Sequence, residues 1–254
     1  MLREALGQAL QWGMLSRSPV AVVQAPRLAG HEMKVWDEEQ ARLFIAEARR
    51  SSEHFPLYLT ALLTGARQGE LLGMRWQDID WTFGRVSVRQ TLVRIRKQMI
   101  FKEPKGRRSR RTIALPAVLV EELKAVRERQ KEFRRVLGSA YIDHDLVFCQ
   151  PNGKPLHAHN VTQRDFRQVI KRAKVPRITF HGLRHCNATL LLREGVHPKV
   201  VQERLGHSGI SVTMDVYSHM LPGMQERAAS QLAERLMGSD AGICKPFAEQ
   251  GDGG

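Results

Sequence analysis

One stretch of strand-forming sequence interrupts a chain that is otherwise patterned for helices. Between Arg85 and Leu115, four runs rich in β-branched and aromatic residues are too short for helices, at residues 85–89, 91–95, 98–101 and 111–115. On either side of this stretch, apolar residues recur at helical spacing. The pattern therefore predicts a mainly α-helical fold with a small antiparallel β-sheet, which is an α+β class.

The predicted helices are delimited by glycine, proline and capping residues. Asp37, Thr179 and Ser211 are placed as N-caps, Pro116 opens a long helix, and Gly65 ends a short one. The predicted helices cover residues 2–15, 38–50, 55–63, 116–137, 160–173, 181–194 and 198–205, a helix after Ser211, and the amphipathic stretch from Met224 to Met237. A short strand is predicted at residues 146–148.

Positive charge is concentrated in the strand-forming stretch. The chain carries 40 Lys and Arg against 26 Asp and Glu, a net charge of +14, and residues 85–111 hold eleven of those cations against a single glutamate. This focus indicates a polyanionic partner whose phosphates the strands and turns contact. A charged sheet edge that blocks aggregation remains the alternative. The expected DNA-contacting residues are Arg94, Arg96, Lys97, Lys102, Arg107, Arg108 and Arg110.

Composition excludes several other classes of protein. No apolar run is long enough for a membrane span, and the amino terminus lacks the apolar core of a secretory signal. Cys149, Cys186 and Cys244 lie far apart, which favours neither a disulfide framework nor a cysteine zinc site. We therefore expect no membrane contact, no metal, and a location in the cytoplasm at the nucleoid.

Two arginines lie at the starts of predicted helices. In TGARQGELL, Arg67 is followed three residues later by Glu70 on the same helical face, a pair that on its own is usually structural. In HGLRH, His181 and Arg184 share one face of a helix start. Cationic donors beside the unsatisfied N–H groups of a helix terminus suit an anion such as a phosphate.

Other chemistries fit the reactive side chains less well. His181 and His185 have the spacing of the zinc motif HExxH, but Gly182 stands where that motif requires glutamate. GHSGI lacks the last glycine of an esterase GxSxG, and no GxxxxGKS/T nucleotide loop occurs. His207 alone is typical of a turn and Tyr217 alone of a core. Together with the arginines, they form a set suited to phosphoryl transfer without metal or nucleotide.

Six polar residues follow one another in an order that resembles a known enzyme family. They are Arg67, Lys105, His181, Arg184, His207 and Tyr217. The order resembles that of the tyrosine recombinases, the lambda-integrase-like family, in the segments TGARQGELLGMRWQDID, EPKGRRSRRTIALP, FHGLRHCNATLLL and RLGHSGISVTMDVYSH. The resemblance implies the catalytic-domain fold of that family. It also implies a site-specific DNA recombinase or integrase that cleaves and rejoins DNA without a cofactor, in the integration or excision of a mobile element.

The resemblance assigns the bond-making and proton-transfer roles. Tyr217 would attack a DNA phosphate to form a 3′-phosphotyrosyl link and release a 5′-hydroxyl. Lys105, in a predicted hairpin turn, would protonate the leaving oxygen, and its EPKGRRSRRTI context favours it over Lys102. His181 would assist proton transfer.

The resemblance also assigns the residues that hold the phosphate. Arg67 and Arg184 would donate to the non-bridging oxygens, where a planar guanidinium stabilises the charge of the transition state. His207 would add a hydrogen bond. Glu70 matches a supporting acidic position, and we expect it to orient Arg67 without reacting.

Partners and competing functions follow from the same resemblance. The implied partner is double-stranded DNA at recombination sites, bound by a homotetramer in which the helix from Met224 to Met237 packs onto a neighbouring subunit. A resolvase or a type IB topoisomerase-like relative would use the same chemistry. The competing hypothesis from another class is a truncated, non-catalytic DNA-binding relic.

The sequence departs from the family pattern in three places. Gly182 replaces a common aspartate and Cys186 a common threonine, both beside the expected reactive face. Only residues 1–15 resemble the last helix of the family's core-binding domain, and we therefore expect either a catalytic fragment or the product of a truncated gene. We expect residues 1–31 to be a remnant helix with a linker, residues 32–237 the catalytic domain, and residues 238–254 a flexible tail.

Overall fold

The computed structural model describes residues 2–20, 23, 34–96, 98–103, 110–206, 230, 232–234 and 236. The chain divides into two units, Met1–Met33 and Lys34–Gly254. In the first unit, helix α1 spans Leu2–Gln11 and has no buried residue. It ends earlier than the predicted residue 15, because Gly13 adopts a positive φ of 70° just after it.

The second unit is built mainly of helices. α2 spans Glu38–Ser51, α3 Phe55–Thr64, α4 Gln68–Leu72, α5 Ala117–Leu137, α6 Phe166–Ala173, α7 Gly182–Arg193 and α8 Pro198–Leu205. Asp37 caps α2 as predicted, accepting the backbone N–H of Gln40 at 2.8 Å in a capping box. No helix in the described part of the chain is both long and apolar enough to cross a bilayer.

Helix α3 forms the centre of this unit. Every one of its residues except Leu63 is buried, as expected for a helix that is apolar on all sides. It packs against α2, α5 and α7. Around Tyr58, the rings of Phe44, Phe166 and Phe180 lie with centroids 5.5–6.2 Å apart from its own, and this aromatic cluster fixes the helices relative to one another.

The strands form two small antiparallel sheets. β1 (Ile79–Asp80), β2 (Arg85–Ser87) and β5 (Thr112–Ala114) make a three-stranded sheet with β2 in the middle. β3 (Thr91–Ile95) and β4 (Gln98–Lys102) make a separate hairpin, in which Ile95 pairs with Gln98 across a two-residue turn. The mainly helical α+β fold is confirmed, with two sheets in place of the single one expected.

Other local details also differ from the predicted elements, and the N-cap of α7 is His181 in place of the predicted Thr179. The helix predicted at residues 160–173 begins with a π-helical turn, Asn160–Asp165, before α6. The strand predicted at residues 146–148 is wrong, since Leu146 forms only an isolated bridge with Arg75. Pro116 is the N-cap of α5 and not its first residue.

Candidate active site

The link between α3 and α4 places Arg67 at the start of a helix. α3 ends at Gly65, which has a φ of +62° and lies so close to α7 and α8 that a Cβ there would be 2.3 Å from Leu205 Cδ2 and 2.7 Å from Asn187 Oδ1. Glycine is therefore required by both conformation and space. This sharp link brings the N-terminus of α4 against the end of α8.

Glu70 holds Arg67 at that position. One carboxylate oxygen accepts the Arg67 backbone N–H at 2.8 Å, and the other accepts Arg67 Nη1 at 2.9 Å. The Glu70 side chain is 5% exposed, whereas that of Arg67 is 39% exposed. The carboxylate thus caps α4 and orients a guanidinium that still reaches solvent.

Arg111 binds the same carboxylate, and the sequence patterns did not single it out. Its Nη1 and Nη2 lie 3.1 Å and 2.8 Å from the two oxygens of Glu70, and its side chain is 7% exposed. A signal was present, because Arg111 shares strand alternation with the buried Ile113 of β5 and so points to the inner face. In the charge pattern it was only one of eleven cations.

Arg184 lies almost completely buried in α7. Its Nη1 donates to the Gly65 carbonyl and its Nη2 to the Leu205 carbonyl, both at 2.7 Å, with 3% of the residue exposed. Arg67 Nη2 donates to the next carbonyl, that of Gly206, at 2.9 Å. The two sequence-predicted arginines and Glu70 are therefore brought together at the end of α8.

The arrangement leaves an excess of positive charge. Burial, together with the charges of Arg67 and Arg111, lowers the pKa of Arg184 to about 9. Burial alone would raise the pKa of Glu70, but its contacts with Arg111 and Arg67 outweigh that effect and hold the pKa below its usual range. Several guanidinium groups around one carboxylate favour the binding of a further anion.

His181 stands at the start of α7, beside these arginines. Partial desolvation and the charges of Arg184 and Arg67 lower its pKa. The centroids of the His181 and His185 rings lie 4.8 Å apart in an edge-to-face arrangement. Partial burial of His185, together with the charge of His181, lowers the pKa of His185 to about 4. Within the described residues, no third histidine, cysteine or carboxylate gathers with this pair as a metal would need.

The two departures beside the expected reactive face, Gly182 and Cys186, are accommodated by close packing. A Cβ at Gly182 would lie 3.0–3.3 Å from three atoms of the Ile178 side chain. The space is therefore filled by Ile178, and α7 begins at Gly182 despite its low helix propensity. Cys186 is buried, and its Sγ accepts the Trp36 backbone N–H at 3.1 Å.

The described members of the predicted DNA-contacting set lie on and beside the β3–β4 hairpin. Arg94, Arg96, Lys102 and Arg110 are all exposed. A cleft of about 610 Å³ separates the hairpin from the three-stranded sheet, and its walls include Arg75, Arg89, Lys102, Arg110 and Arg111. Basic side chains therefore extend from the arginine cluster onto the hairpin.

The remaining predicted site residues lie outside the described part of the chain. They are Lys97, Lys105, Arg107, Arg108, His207 and Tyr217. Of the stretch from Met224 to Met237, residues 230, 232–234 and 236 are described, and all are helical and exposed.

Comparison with known proteins gives concordant results. The profile of the phage integrase family matches residues 34–223. A tyrosine recombinase XerC-like protein of Caldanaerobacter subterraneus subsp. tengcongensis is 34% identical over 213 residues, covering 79% of this chain and 54% of the relative. The ICEBs1 integrase of Bacillus subtilis is 29% identical over 236 residues, covering 92% of this chain and 64% of the relative. The chain thus spans between about half and two thirds of the length of these relatives.

Solved structures show the same fold. The Tn1549 transposon integrase in complex with transposon right end DNA superposes with a TM-score of 0.74 at 21% identity, over 92% of this chain and 76% of that one. The XerA recombinase gives a TM-score of 0.61 at 22% identity, over 90% of this chain and 73% of that one. Since the family profile covers most of the second unit, including both arginines of the site, the chain belongs to the phage integrase family of tyrosine recombinases.

Proposed function

We propose that this chain is a site-specific recombinase that cleaves and rejoins DNA strands through a 3′-phosphotyrosyl intermediate. The observation that carries the proposal is the meeting of Arg67 and Arg184 at successive carbonyls of the α8 end, directly before His207. A half-buried cationic site of this kind suits a phosphodiester whose negative charge increases in the transition state.

The arginines supply positioning and charge. Arg184 is fixed by two carbonyls, and Arg67 by Glu70 and one carbonyl. We infer that their remaining N–H groups donate to the non-bridging oxygens of the scissile phosphate, with a further hydrogen bond from His207. Because these donors are held before the substrate arrives, little reorganisation accompanies the reaction.

The reaction itself is a transesterification. The Tyr217 oxygen attacks phosphorus and the bond from phosphorus to the 5′-oxygen breaks. The phosphate is then bonded to Tyr217 and keeps its bond to the 3′-oxygen of the DNA strand. The lowered pKa of His181 favours the neutral imidazole at pH 7, which is the form able to accept the tyrosine proton. Lys105 delivers a proton to the departing 5′-oxygen. The reverse attack by a 5′-hydroxyl of another strand restores the phosphodiester, so no nucleotide is consumed.

The remaining assignments complete the proposal. Duplex DNA would contact the hairpin cations and the neighbouring basic residues predicted from the sequence, and the enzyme would act on the nucleoid in the cytoplasm. A homotetramer would form on DNA through the stretch from Met224 to Met237, next to a catalytic domain at residues 32–237. Relatives named as integrases favour integration or excision of a mobile element as the task.

Covalent capture of DNA tests this function. The protein is incubated with a library of nicked duplexes that are randomised around the nick, so that the short fragment with the new 5′-hydroxyl dissociates and cleavage cannot reverse. DNA that stays attached to the protein under denaturing conditions is then sequenced. With the unaltered protein, we expect the attached DNA to be enriched in one set of related sequences.

Two variants make the result specific. Arg184→Lys keeps the positive charge but loses the planar guanidinium with its two terminal nitrogens. The amount of DNA captured should therefore fall about 100-fold. Arg135→Lys makes the same chemical change on the exposed face of α5, where Arg135 is 74% exposed and pairs with Glu132, and should capture as well as the unaltered protein. Salt-sensitive DNA binding without any captured DNA would instead identify a non-catalytic DNA-binding protein.

A further inference from the structure

Arg111 has no role in the reaction proposed above, yet its guanidinium is engaged on every side. Nη1 and Nη2 bind the two oxygens of Glu70, and Nε donates to the Arg204 carbonyl at 2.7 Å. With its side chain 7% exposed, this arginine presents little surface to a DNA backbone. Its contacts are directed inward, toward groups that hold the reactive arginines.

Three arginines bind three consecutive carbonyls at the end of α8. Arg111 takes the carbonyl of Arg204, Arg184 that of Leu205 and Arg67 that of Gly206. The last carbonyls of a helix lack partners within the helix and carry the negative end of its dipole. The α8 end is therefore a common anchor for the three side chains, and the chain leaves it directly at His207.

Arg111 also changes the charge balance around Arg67. Glu70 is buried and contacts both arginines. If Arg67 were its sole cationic partner, the carboxylate would offset the charge of Arg67 and would be held only by the Nη1 and the backbone N–H of that residue. With Arg111 on its other side, the carboxylate also accepts hydrogen bonds from Nη1 and Nη2 of Arg111, and the cluster carries one more positive charge.

We propose that Arg111 is a positioning residue for strand cleavage, which holds Glu70 and the α8 end so that Arg67 faces the scissile phosphate. This inference rests on the proposed recombinase function. Two other roles make different predictions: a purely structural ion pair, and a direct contact with the DNA backbone.

Single-turnover cleavage separates these roles. With the captured site in a nicked duplex, Arg111→Met should lower the cleavage rate at saturating protein about 100-fold, as expected for a misplaced phosphate donor. The protein concentration that gives half-saturation should stay unchanged. Arg111→Lys, which keeps the charge and one contact, should recover part of the rate. Leu123→Ala, a change at a fully buried core residue of α5, controls for lost stability.

A double variant guards against misfolding. Arg111→Met leaves Glu70 buried with one partner fewer, which is destabilising. Glu70→Gln removes that charge, so the double variant is expected to fold. If Arg111 acts through Glu70, adding Arg111→Met to the Glu70→Gln protein should slow cleavage far less than it slows the unaltered enzyme.

A measurement without DNA keeps the inference testable even if the proposed function fails. Arginine side-chain NMR of the free protein should show slow rotation and protected protons for the Arg67 guanidinium. These signals should be lost in Arg111→Met and kept in Leu123→Ala. Failure of the unaltered protein to cleave any DNA would count against the recombinase function, while this comparison would still decide whether Arg111 positions Arg67.

Three results would overturn the inference. Cleavage by folded Arg111→Met at the normal rate would reduce Arg111 to a structural ion pair. A higher half-saturating protein concentration with an unchanged cleavage rate, and a DNA affinity that depends less steeply on salt concentration, would make Arg111 a DNA contact. Unchanged Arg67 signals in Arg111→Met would exclude positioning altogether.

Discussion

Gly65 illustrates how a single residue determines the geometry of the site. Its positive φ and its contact with Leu205 and Asn187 leave no room for a side chain, and its carbonyl accepts a hydrogen bond from Arg184. We predict that Gly65→Ala costs about 2–4 kcal/mol in the free energy of unfolding, from backbone strain and overpacking together. Urea unfolding measures this loss.

The matched control for this change is Gly195→Ala. Gly195 also has a positive φ, of 78°, but nothing lies within 4 Å of a Cβ built on it. Only the backbone cost, about 1 kcal/mol, should appear there. Equal losses in the two variants would show that close packing at Gly65 contributes nothing.

His185 should make the folded state sensitive to acid. Its pKa is about 4 in the folded protein, below the ordinary value of 6.5. Between these values the unfolded chain binds a proton that the folded protein does not, so stability falls as the pH drops. From pH 8 to pH 5 this group should account for a loss of about 2 kcal/mol.

The test of this effect compares the unaltered protein with His185→Gln by urea unfolding at both pH values. The variant should lose about 2 kcal/mol less than the unaltered protein between pH 8 and pH 5. His181, whose pKa is also lowered, contributes in the same direction and remains in both proteins. Parallel losses in the two proteins would assign the acid sensitivity to other groups.

At the scale of elements, local sequence signals were sufficient for most helices and for the hairpin. The capping box at Asp37, the glycine end of α3 and the β-branched alternation of β3 each act within a few residues. Elements that depend on distant partners were not predictable in this way. The two residues of β1 become a strand only by pairing with β2, and the π-helical turn Asn160–Asp165 lies where Asp165 binds the buried Tyr58 hydroxyl at 2.6 Å.

The candidate site shows the same division between local and distant signals. Arg67, Glu70 and Arg184 were predictable because each lies in a short motif at the start of a helix. For Arg111, strand alternation with Ile113 indicates only that the side chain points inward, because its partner Glu70 is 41 residues away in sequence and meets it only in the folded chain. Charge density alone does not distinguish a buried arginine from the exposed ones around it.

The turn of the β3–β4 hairpin contains a residue under strain. Arg96 has a φ of +46°, a conformation that an arginine adopts at a cost. We predict that Arg96→Gly raises the free energy of unfolding by about 1 kcal/mol. It should also lower the salt slope, the slope of the logarithm of DNA affinity against the logarithm of salt concentration, by about one in magnitude. Urea unfolding and fluorescence anisotropy at several salt concentrations measure the two effects.

Arg94→Gln supplies the control for the hairpin. Arg94 is exposed on β3 of the same hairpin and has no positive φ. Its loss should reduce the salt slope similarly without the gain in stability. A destabilised Arg96→Gly protein would contradict the assignment of strain to this turn.

At the scale of the whole molecule, exposed charge is unevenly distributed. On α5, three of the six exposed cations, Lys124, Lys131 and Arg135, are each paired with a glutamate three residues earlier, and Arg134 is paired with Asp143. The hairpin and its surroundings instead carry most of the net positive charge. This asymmetry predicts one DNA-binding face.

Charge reversal on the two faces tests this prediction. Lys102→Glu, at the end of β4, should weaken DNA binding at least about tenfold at low salt and less at high salt. Lys131→Glu, the same change on α5, should leave DNA affinity close to that of the unaltered protein. Anisotropy titrations measure both, and equal weakening by the two variants would argue against a defined binding face.

The most direct measurement for the account as a whole is mass spectrometry of the covalent protein–DNA complex, after digestion of both components. The account predicts one modified peptide, carrying a nucleotide remnant joined through its 3′-phosphate to Tyr217, and a released strand with a 5′-hydroxyl. The modified peptide should be absent from Tyr217→Phe. A linkage at any other residue, or an adduct that persists in Tyr217→Phe, would contradict the account.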